Sequence, residues 1–122
     1  MQSNKRRILC VDDNEDTCEI LTLYLGMSGY EVTSAHTLAE GLEKAVSGGF
    51  DLLLLDNLLP DGSGVELCQQ IRGLNRKTPI VFCTADAYPG QIEKALSAGA
   101  QAYVVKPIYP EQLEHTIEQL LQ

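Results

Sequence analysis

The chain has 122 residues, 44% of them hydrophobic and 21% charged, with a formal net charge of −8. This size and composition predict one folded domain with its own hydrophobic core and exclude a disordered chain. Because the balance is acidic and no segment is dense in lysine or arginine, we expect no direct binding of nucleic acid.

The cysteines and the apolar segments indicate the environment of the protein. The four cysteines form no CxxC pair and have no histidine at zinc-ligand spacing, so we expect buried, reduced thiols. The sequence contains no apolar run long enough to cross a membrane and no recognisable signal peptide. We therefore expect a cytoplasmic protein that makes no membrane contact.

The N-terminal segment predicts a strand followed by a helix. The apolar run 8–11 predicts a short strand, which ends at the acidic pair Asp12-Asp13. Asn14 is suited to the N-cap of a helix with apolar residues at helical spacing. Gly29 is expected to stop this helix.

A second strand and a second helix follow. The alternating segment 31–35 predicts a strand near an edge of the sheet. Thr37 can cap the next helix, which is expected to end at Gly48-Gly49. The predicted buried face of this helix contains Leu38, Leu42, Ala45 and Val46.

Four consecutive leucines, residues 52–55, predict a third strand that is buried on both faces. It ends at Asp56, and a loop containing Pro60 and Gly62 leads into a third helix that ends near Gly73. The apolar positions that mark this helix are Val65, Leu67, Cys68 and Ile71.

The second half of the chain continues the same order of elements. Residues 79–83 predict a fourth strand ending at Thr84, and residues 102–105 predict a fifth strand ending at Lys106. The fourth helix is marked by Ile92, Ala95 and Leu96, and the fifth helix begins at Pro110 and is predicted to bury Leu113, Ile117, Leu120 and Leu121. This alternation predicts an α/β domain with a doubly wound parallel sheet and helices on both faces.

Polar residues stand where the predicted strands end. Asp12 and Asp13 follow the first strand and Asp56 follows the third. Thr84 and Lys106 end the fourth and fifth strands. Because the C-terminal ends of parallel strands share one edge of a sheet, we expect these five side chains to converge.

Three carboxylates in one cleft require a cation, because two like charges about 4 Å apart repel by about 4 kcal/mol near a protein surface. Carboxylate oxygens suit Mg²⁺. Lys106 can pair with Asp56, and the hydroxyl of Thr84 can donate to a further oxygen. A carboxylate, a metal, an ammonium group and a hydroxyl together suit phosphoryl transfer, with Asp56 as the nucleophile that becomes an aspartyl phosphate.

With these motifs the chain resembles the receiver domains of two-component response regulators along nearly its whole length. The resemblance is carried by Asp12-Asp13, by Asp56-x-x-x-Pro60-x-Gly62, by Thr84-Ala85, by Tyr103 and by Lys106-Pro107. It implies a single receiver domain over residues 1–122, with five strands in the flavodoxin-like order 2-1-3-4-5. It also implies a cis peptide bond between Lys106 and Pro107.

The resemblance also implies how the site works. Asp56 would accept a phosphoryl group from a histidine kinase or a histidine phosphotransfer protein. Asp13 and Asp56 would bind Mg²⁺ directly, Asp12 would act mainly through water, and the backbone carbonyl of Leu58 would complete the ligands. Lys106 would pair with Asp56 and then with a phosphoryl oxygen.

The implied output is a conformational switch. Thr84 would turn to the phosphoryl oxygen, and Tyr103 would turn inward into the space vacated, although an ordinary half-buried strand aromatic is as good an interpretation of Tyr103. The changed surface would cover the fourth helix, the fifth strand and the fifth helix. It would act on a downstream effector or on an output domain missing from this chain, and a phosphorylation-dependent dimer is possible on this reading. The protein would not be an enzyme beyond promoting its own phosphorylation and dephosphorylation.

Some residues and classes stay open on the sequence alone. Asn57 stands where the family usually has an aliphatic residue, and it could bond locally or face a wetter pocket. His36 and His115 are expected at the surface. The segment before Tyr103 lacks the acidic pair of the winged-helix transcription-factor subgroup, which argues against that subgroup. The alternative functions are a small magnesium-dependent phosphatase with an aspartyl-phosphate intermediate and a degenerate receiver that serves only for docking.

Overall fold

The computed structural model describes residues 5–74 and 76–122. The strands are β1 (Arg7–Val11), β2 (Glu31–Ala35), β3 (Leu52–Leu55), β4 (Leu58–Leu59), β5 (Gly62–Ser63), β6 (Ile80–Thr84) and β7 (Ala102–Val105). The helices are α1 (Glu15–Met27), α2 (Leu38–Gly48), α3 (Gly64–Gly73), α4 (Pro89–Ser97) and α5 (Pro110–Leu120).

Five of these strands form one parallel sheet in the order β2-β1-β3-β6-β7. Counted along the sheet-forming strands, this is the predicted order 2-1-3-4-5, and β2 lies at an edge as expected. The remaining strands, β4 and β5, pair antiparallel within the predicted loop after β3.

The core lies on both faces of the sheet because side chains alternate along each strand. On β3, Leu53 and Leu55 point to the face that α2, α3 and α4 cover. Leu52 and Leu54 point to the face that α1 and α5 cover. All four leucines are at most 2% exposed, which confirms the prediction of a strand buried on both sides.

The predicted caps of the first two helices are confirmed. The side-chain oxygen of Asn14 accepts a hydrogen bond from the backbone N–H of Thr17 at the start of α1. Thr37 accepts from the N–H of Glu40 in the same way at the start of α2. These bonds satisfy backbone donors that would otherwise lack a partner in the first turn.

Val46 was predicted on a buried helical face and is exposed, so that prediction is wrong, and Leu96, one of the residues that marked the fourth helix, is exposed as well. Val46 is 43% exposed in α2 and Leu96 is 47% exposed in α4. Each lies next to a residue that does face the core, namely Ala45 and Ala95. Adjacent positions on a helix are about 100° apart, so the helix buries one of them and turns the other toward solvent.

Gly64 allows α3 to begin directly against the end of β3. A Cβ atom at this position would lie 2.5 Å from the backbone oxygen of Asp56 and 2.9 Å from the ring of Phe82. Backbone atoms at that distance cannot move aside without shifting the strand. The glycine therefore permits the close approach that brings the first turn of α3 beside Asp56.

Cys10, Cys18, Cys68 and Cys83 are all buried free thiols, as predicted. Among the residues that the structure describes, no helix is long and apolar enough to span a membrane.

Candidate functional site

Three of the predicted site residues meet at the C-terminal edge of the sheet. Asp12 follows β1, Asp56 follows β3 and Lys106 follows β7. The Nζ atom of Lys106 lies 2.8 Å from Oδ2 of Asp12 and 3.1 Å from Oδ2 of Asp56. The adjacent Lys106-Pro107 peptide bond is cis, as expected. The parallel topology thus converts strand ends that are far apart in the sequence into one charged cleft.

A third carboxylate completes an acidic cluster. Carboxylate oxygens of Asp12, Asp13 and Asp56 lie within 4.8 Å of one another. Asp12 and Asp56 are buried, whereas Asp13 is exposed, so the cluster opens to solvent on one side. Hard oxygen ligands at this spacing, reachable from water, fit Mg²⁺, which keeps several of its own water ligands.

The loop after β3 donates a hydrogen bond to the carboxylate of Asp56. The backbone N–H of Leu58 donates to Oδ1 of Asp56 at 3.0 Å, while Oδ2 faces Lys106. The two carboxylate oxygens therefore have different partners. The side chain of Leu58 is 57% exposed at the rim of the cleft, and the role predicted for its carbonyl group as a metal ligand stays a prediction.

Burial and charge act in opposite directions on the groups in this cleft. Burial raises the pKa of the Asp12 carboxyl group, and hydrogen bonds from Lys106 and from the backbone of Asn14 only partly offset it. For Lys106, burial alone would lower the pKa, but the bonds and charges of Asp12 and Asp56 outweigh it and raise the pKa. The ammonium group is thereby kept charged between two carboxylates.

The two predicted switch residues are linked through the loop after β6. Thr84 is fully buried, and its hydroxyl accepts a hydrogen bond from the backbone N–H of Asp86 at 3.3 Å. The hydroxyl of Tyr103 donates to the backbone carbonyl of Asp86. The Tyr103 ring stacks on Phe82 with centroids 5.6 Å apart. The Tyr103 ring is thus packed inward, and its predicted movement on phosphorylation stays a prediction.

Asn57 is the residue whose environment the sequence left open, and it is buried and hydrogen-bonded. It is 5% exposed. Its Oδ1 accepts from the backbone N–H of Val65 at 3.2 Å, and its Nδ2 donates to Oδ2 of Asp86 at 3.3 Å. The local bonding anticipated as one alternative is therefore present. No local pattern points to the partner Asp86, which is 29 positions away.

His36 does not lie at the surface as predicted. It is half-buried, and its Nδ1 is 3.0 Å from the backbone oxygen of Asp12 and 3.9 Å from Sγ of Cys18. Its contact with the Asp12 carbonyl raises the pKa of the imidazole. The prediction failed because His36 follows β2, which pairs with β1 and so brings it beside Asp12. His115 is exposed, as predicted.

This fold and this acidic cleft are those of a family of signalling domains. A family model described as the response regulator receiver domain matches residues 8–118. The chain therefore belongs to the receiver domains of response regulators, which act in two-component signal transduction.

Individual relatives agree with this assignment. The uncharacterized transcriptional regulatory protein YkoG of Bacillus subtilis is 41% identical over 110 residues, which are 89% of this chain and 48% of the relative. Transcriptional regulatory protein ResD of the same organism is 33% identical over 121 residues, 99% of this chain and 50% of the relative. Response regulator ArlR of Staphylococcus saprophyticus is 38% identical over 116 residues, 95% of this chain and 52% of the relative.

Solved structures match the fold closely. A CheY-like receiver domain protein from Methanospirillum hungatei is 36% identical with a TM-score of 0.93, covering 97% of this chain and 94% of that one. A two-component response regulator from Clostridium difficile is 32% identical with a TM-score of 0.93, covering 96% of both chains.

The relatives bear on the open alternatives in different ways. This chain spans about half the length of the relatives named above. Two of them are named as transcriptional regulatory proteins, and these names do not say to which structural subgroup the relatives belong. Those names describe the whole relatives, so the subgroup of this chain stays a prediction. The comparisons give no support to the phosphatase alternative.

Proposed function

We propose that Asp56 accepts a phosphoryl group from the phosphohistidine of a histidine kinase or of a histidine phosphotransfer protein. The observation that carries this proposal is the placement of a buried Asp56 carboxylate between the Lys106 ammonium group, 3.1 Å away, and two further carboxylates within 4.8 Å. A nucleophile between a fixed cation and a set of oxygen ligands matches what phosphoryl transfer requires.

The chemistry balances as a transfer between two nucleophiles. A carboxylate oxygen of Asp56 forms a bond to phosphorus while the bond from phosphorus to the donor imidazole breaks. The imidazole leaves with the electron pair of that bond. Lys106, already charged and in place, turns its ammonium group toward a phosphoryl oxygen, and Thr84 donates its hydroxyl hydrogen to another. Both contacts stabilise charge that develops on the transferred group.

Asp12, Asp13 and Asp56 would hold Mg²⁺, with the backbone carbonyl of Leu58 as a further ligand. The ion, when bound, supplies neutralisation of the negative charge on the phosphoryl oxygens. Its positive charge also offsets the mutual repulsion of three carboxylates, two of which are buried.

The consequence of phosphorylation would be a switch at the surface rather than turnover of a substrate. Thr84 and Tyr103 would change their contacts and alter the face formed by α4, β7 and α5. We propose that residues 1–122 act as one cytoplasmic receiver domain in a phosphorelay. Its readers would be a downstream effector or an output domain, and the changed face could support a phosphorylation-dependent dimer.

The direct test is intact-mass measurement after incubation with acetyl phosphate and Mg²⁺. Wild type should gain the mass of one phosphoryl group, and Asp56→Asn should gain none. Asp51→Asn is the matched control, because Asp51 precedes the same strand at its opposite end and accepts a bond from the backbone N–H of Arg7. If wild type gains no mass, or if Asp56→Asn gains as much as wild type, the proposal fails.

The kinase can be found by phosphotransfer profiling. Candidate histidine kinases of the source organism are loaded with labelled phosphate and mixed briefly with the chain. A cognate kinase should transfer label to wild type much faster than non-cognate kinases do, and it should transfer none to Asp56→Asn. Transfer to Asp56→Asn would place the acceptor elsewhere.

A further inference from the structure

Asp86 is a junction between three segments that lie far apart in the sequence. Its side-chain Oδ2 accepts from Nδ2 of Asn57, in the loop directly after Asp56, at 3.3 Å. Its backbone carbonyl accepts from the Tyr103 hydroxyl on β7. Its backbone N–H donates to Thr84 Oγ1 at the end of β6. The two predicted switch residues therefore share Asp86 with Asn57.

The contacts of Asn57 fix which way its amide points. Oδ1 accepts from the backbone N–H of Val65 in the first turn of α3, and the backbone carbonyl of Asn57 accepts from Gly64. Because a backbone N–H needs an acceptor and a carboxylate needs a donor, only this orientation satisfies both Val65 and Asp86. The amide is 5% exposed, so little water competes for these bonds.

Asn57 is itself held in place by its bonds to the start of α3 when it contacts Asp86. It is attached to the residue beside the phosphoacceptor and anchored to α3, whereas Asp86 lies in the irregular segment between β6 and α4. The bond between Asn57 and Asp86 restrains this segment where its carbonyl meets the hydroxyl of Tyr103. An aliphatic side chain at position 57 has no donor and could not make the bond.

We infer that Asn57 is a positioning residue that stabilises the inward arrangement of Tyr103, acting through Asp86. This inference rests on the proposed function, in which Tyr103 inward is the arrangement that phosphorylation favours. A contact that already stabilises this arrangement reduces the free energy that phosphorylation must supply to reach it. The resting population of this receiver is thereby shifted toward the switched state.

The position of Tyr103 can be measured without any phosphoryl group. Ring-labelled tyrosine gives five sets of aromatic resonances, one for each tyrosine of the chain. Tyr103→Phe identifies the set that belongs to Tyr103. The nuclear Overhauser effect between the rings of Tyr103 and Phe82, which are stacked at 5.6 Å, reports the inward arrangement. Wild type should show this effect, and Asn57→Leu should lose most of it.

Affinity for a phosphoryl mimic tests whether the contact between Asn57 and Asp86 favours the phosphorylated arrangement. Beryllofluoride with Mg²⁺ should bind Asn57→Leu roughly threefold to tenfold more weakly than wild type, the range expected for the loss of one ordinary hydrogen bond. Asp86→Asn keeps an acceptor oxygen and should stay near wild type. Asp86→Ala should match Asn57→Leu, and the double variant should be no weaker than either single variant.

Asn57→Leu also loses the bond to Val65 and could fold poorly for that reason, whereas Asp86→Ala keeps this bond. If Asn57→Leu does not fold, Asp86→Ala decides the question on the same readouts. The inference is overturned if the Tyr103–Phe82 effect is unchanged in these variants, or if beryllofluoride binds them as tightly as it binds wild type, or more tightly. Failure of wild type to bind beryllofluoride would instead count against the proposed function, and the ring measurement would still test the link from Asn57 to Tyr103.

Discussion

Replacing Lys106 by methionine removes an ammonium group from between two buried carboxylates while keeping most of the side-chain volume. At an effective dielectric constant of about 20, its attractions to Asp12 and Asp56 at 2.8 and 3.1 Å are about 6 and 5 kcal/mol before desolvation. Breaking a buried ion pair costs about 3–5 kcal/mol net. Because the Lys106 side chain is 22% exposed, we expect a loss of about 2–4 kcal/mol in the free energy of unfolding.

Urea unfolding in the presence of a chelator measures this loss, and for a domain of this size the melting temperature should fall by about 10 °C. Added Mg²⁺ should stabilise Lys106→Met more than wild type, because the ion no longer shares the cleft with an ammonium group. Lys77→Met is the control, since it removes the same charge from an exposed position.

The reasoning would be refuted by either of two results. One is that Lys106→Met unfolds within about 0.5 kcal/mol of Lys77→Met, the size of an ordinary surface change, which would mean that the buried carboxylates are not held by the ammonium group. The other is that Mg²⁺ stabilises Lys106→Met no more than wild type. The ammonium group of Lys106 would then not compete with the ion for the carboxylates.

Three further predictions concern the scaffold around the site. Gly64→Ala should lower the free energy of unfolding by about 1–3 kcal/mol, because the new Cβ atom would lie 2.5 Å from a backbone oxygen. Gly73→Ala in the same helix places its Cβ atom more than 4 Å from any other group and should be neutral or stabilising by about 0.5–1 kcal/mol. Urea unfolding measures both changes. Asp61 accepts bonds from two backbone N–H groups at the start of α2, and these bonds lower the pKa of its carboxyl group from the usual aspartate value. Its folded pKa lies below its unfolded pKa, so the stability it contributes is full above about pH 4 and is lost as the pH falls through the folded pKa. The difference in melting temperature between wild type and Asp61→Asn should therefore be constant from neutral pH down to about pH 5 and shrink below pH 4, and a constant difference at all pH values would refute the role of the charge. Leu54→Ala should cost about 2–5 kcal/mol because the side chain is 1% exposed, and Leu96→Ala, 47% exposed, should cost less than about 1 kcal/mol; equal losses would contradict the assignment of the core.

Much of the fold follows from local features of the sequence. Helix caps such as Asn14 and Thr37 act on backbone groups only three residues away, so their signal lies within one short segment. The run 52–55 is apolar at every position because helices cover both faces of a parallel sheet. Once strands and helices alternate, parallel pairing follows, and Asp12, Asp56 and Lys106 must end at one edge.

What the sequence could not determine depends on contacts between distant segments. Val46 and Ala45 are adjacent apolar residues, and only the packing of α2 on the sheet selects Ala45 for the core. His36 lies beside Asp12 because of the strand that pairs with its own, which no local pattern encodes. The inward ring of Tyr103 likewise depends on Phe82 and on the loop at Asp86.

The site likewise has features that the sequence predicts and features that only the packed structure determines. Its charged groups and their convergence could be predicted, because residue type and strand order are enough to place them. The bond from Asn57 to Asp86 could not, since it depends on side-chain orientations of two residues that are 29 positions apart in the sequence. Local periodicity and capping act over one or two helical turns and can therefore be predicted from the sequence. Distances between side chains are decided only when the helices and strands pack together, because close packing selects one arrangement among many that the sequence pattern allows.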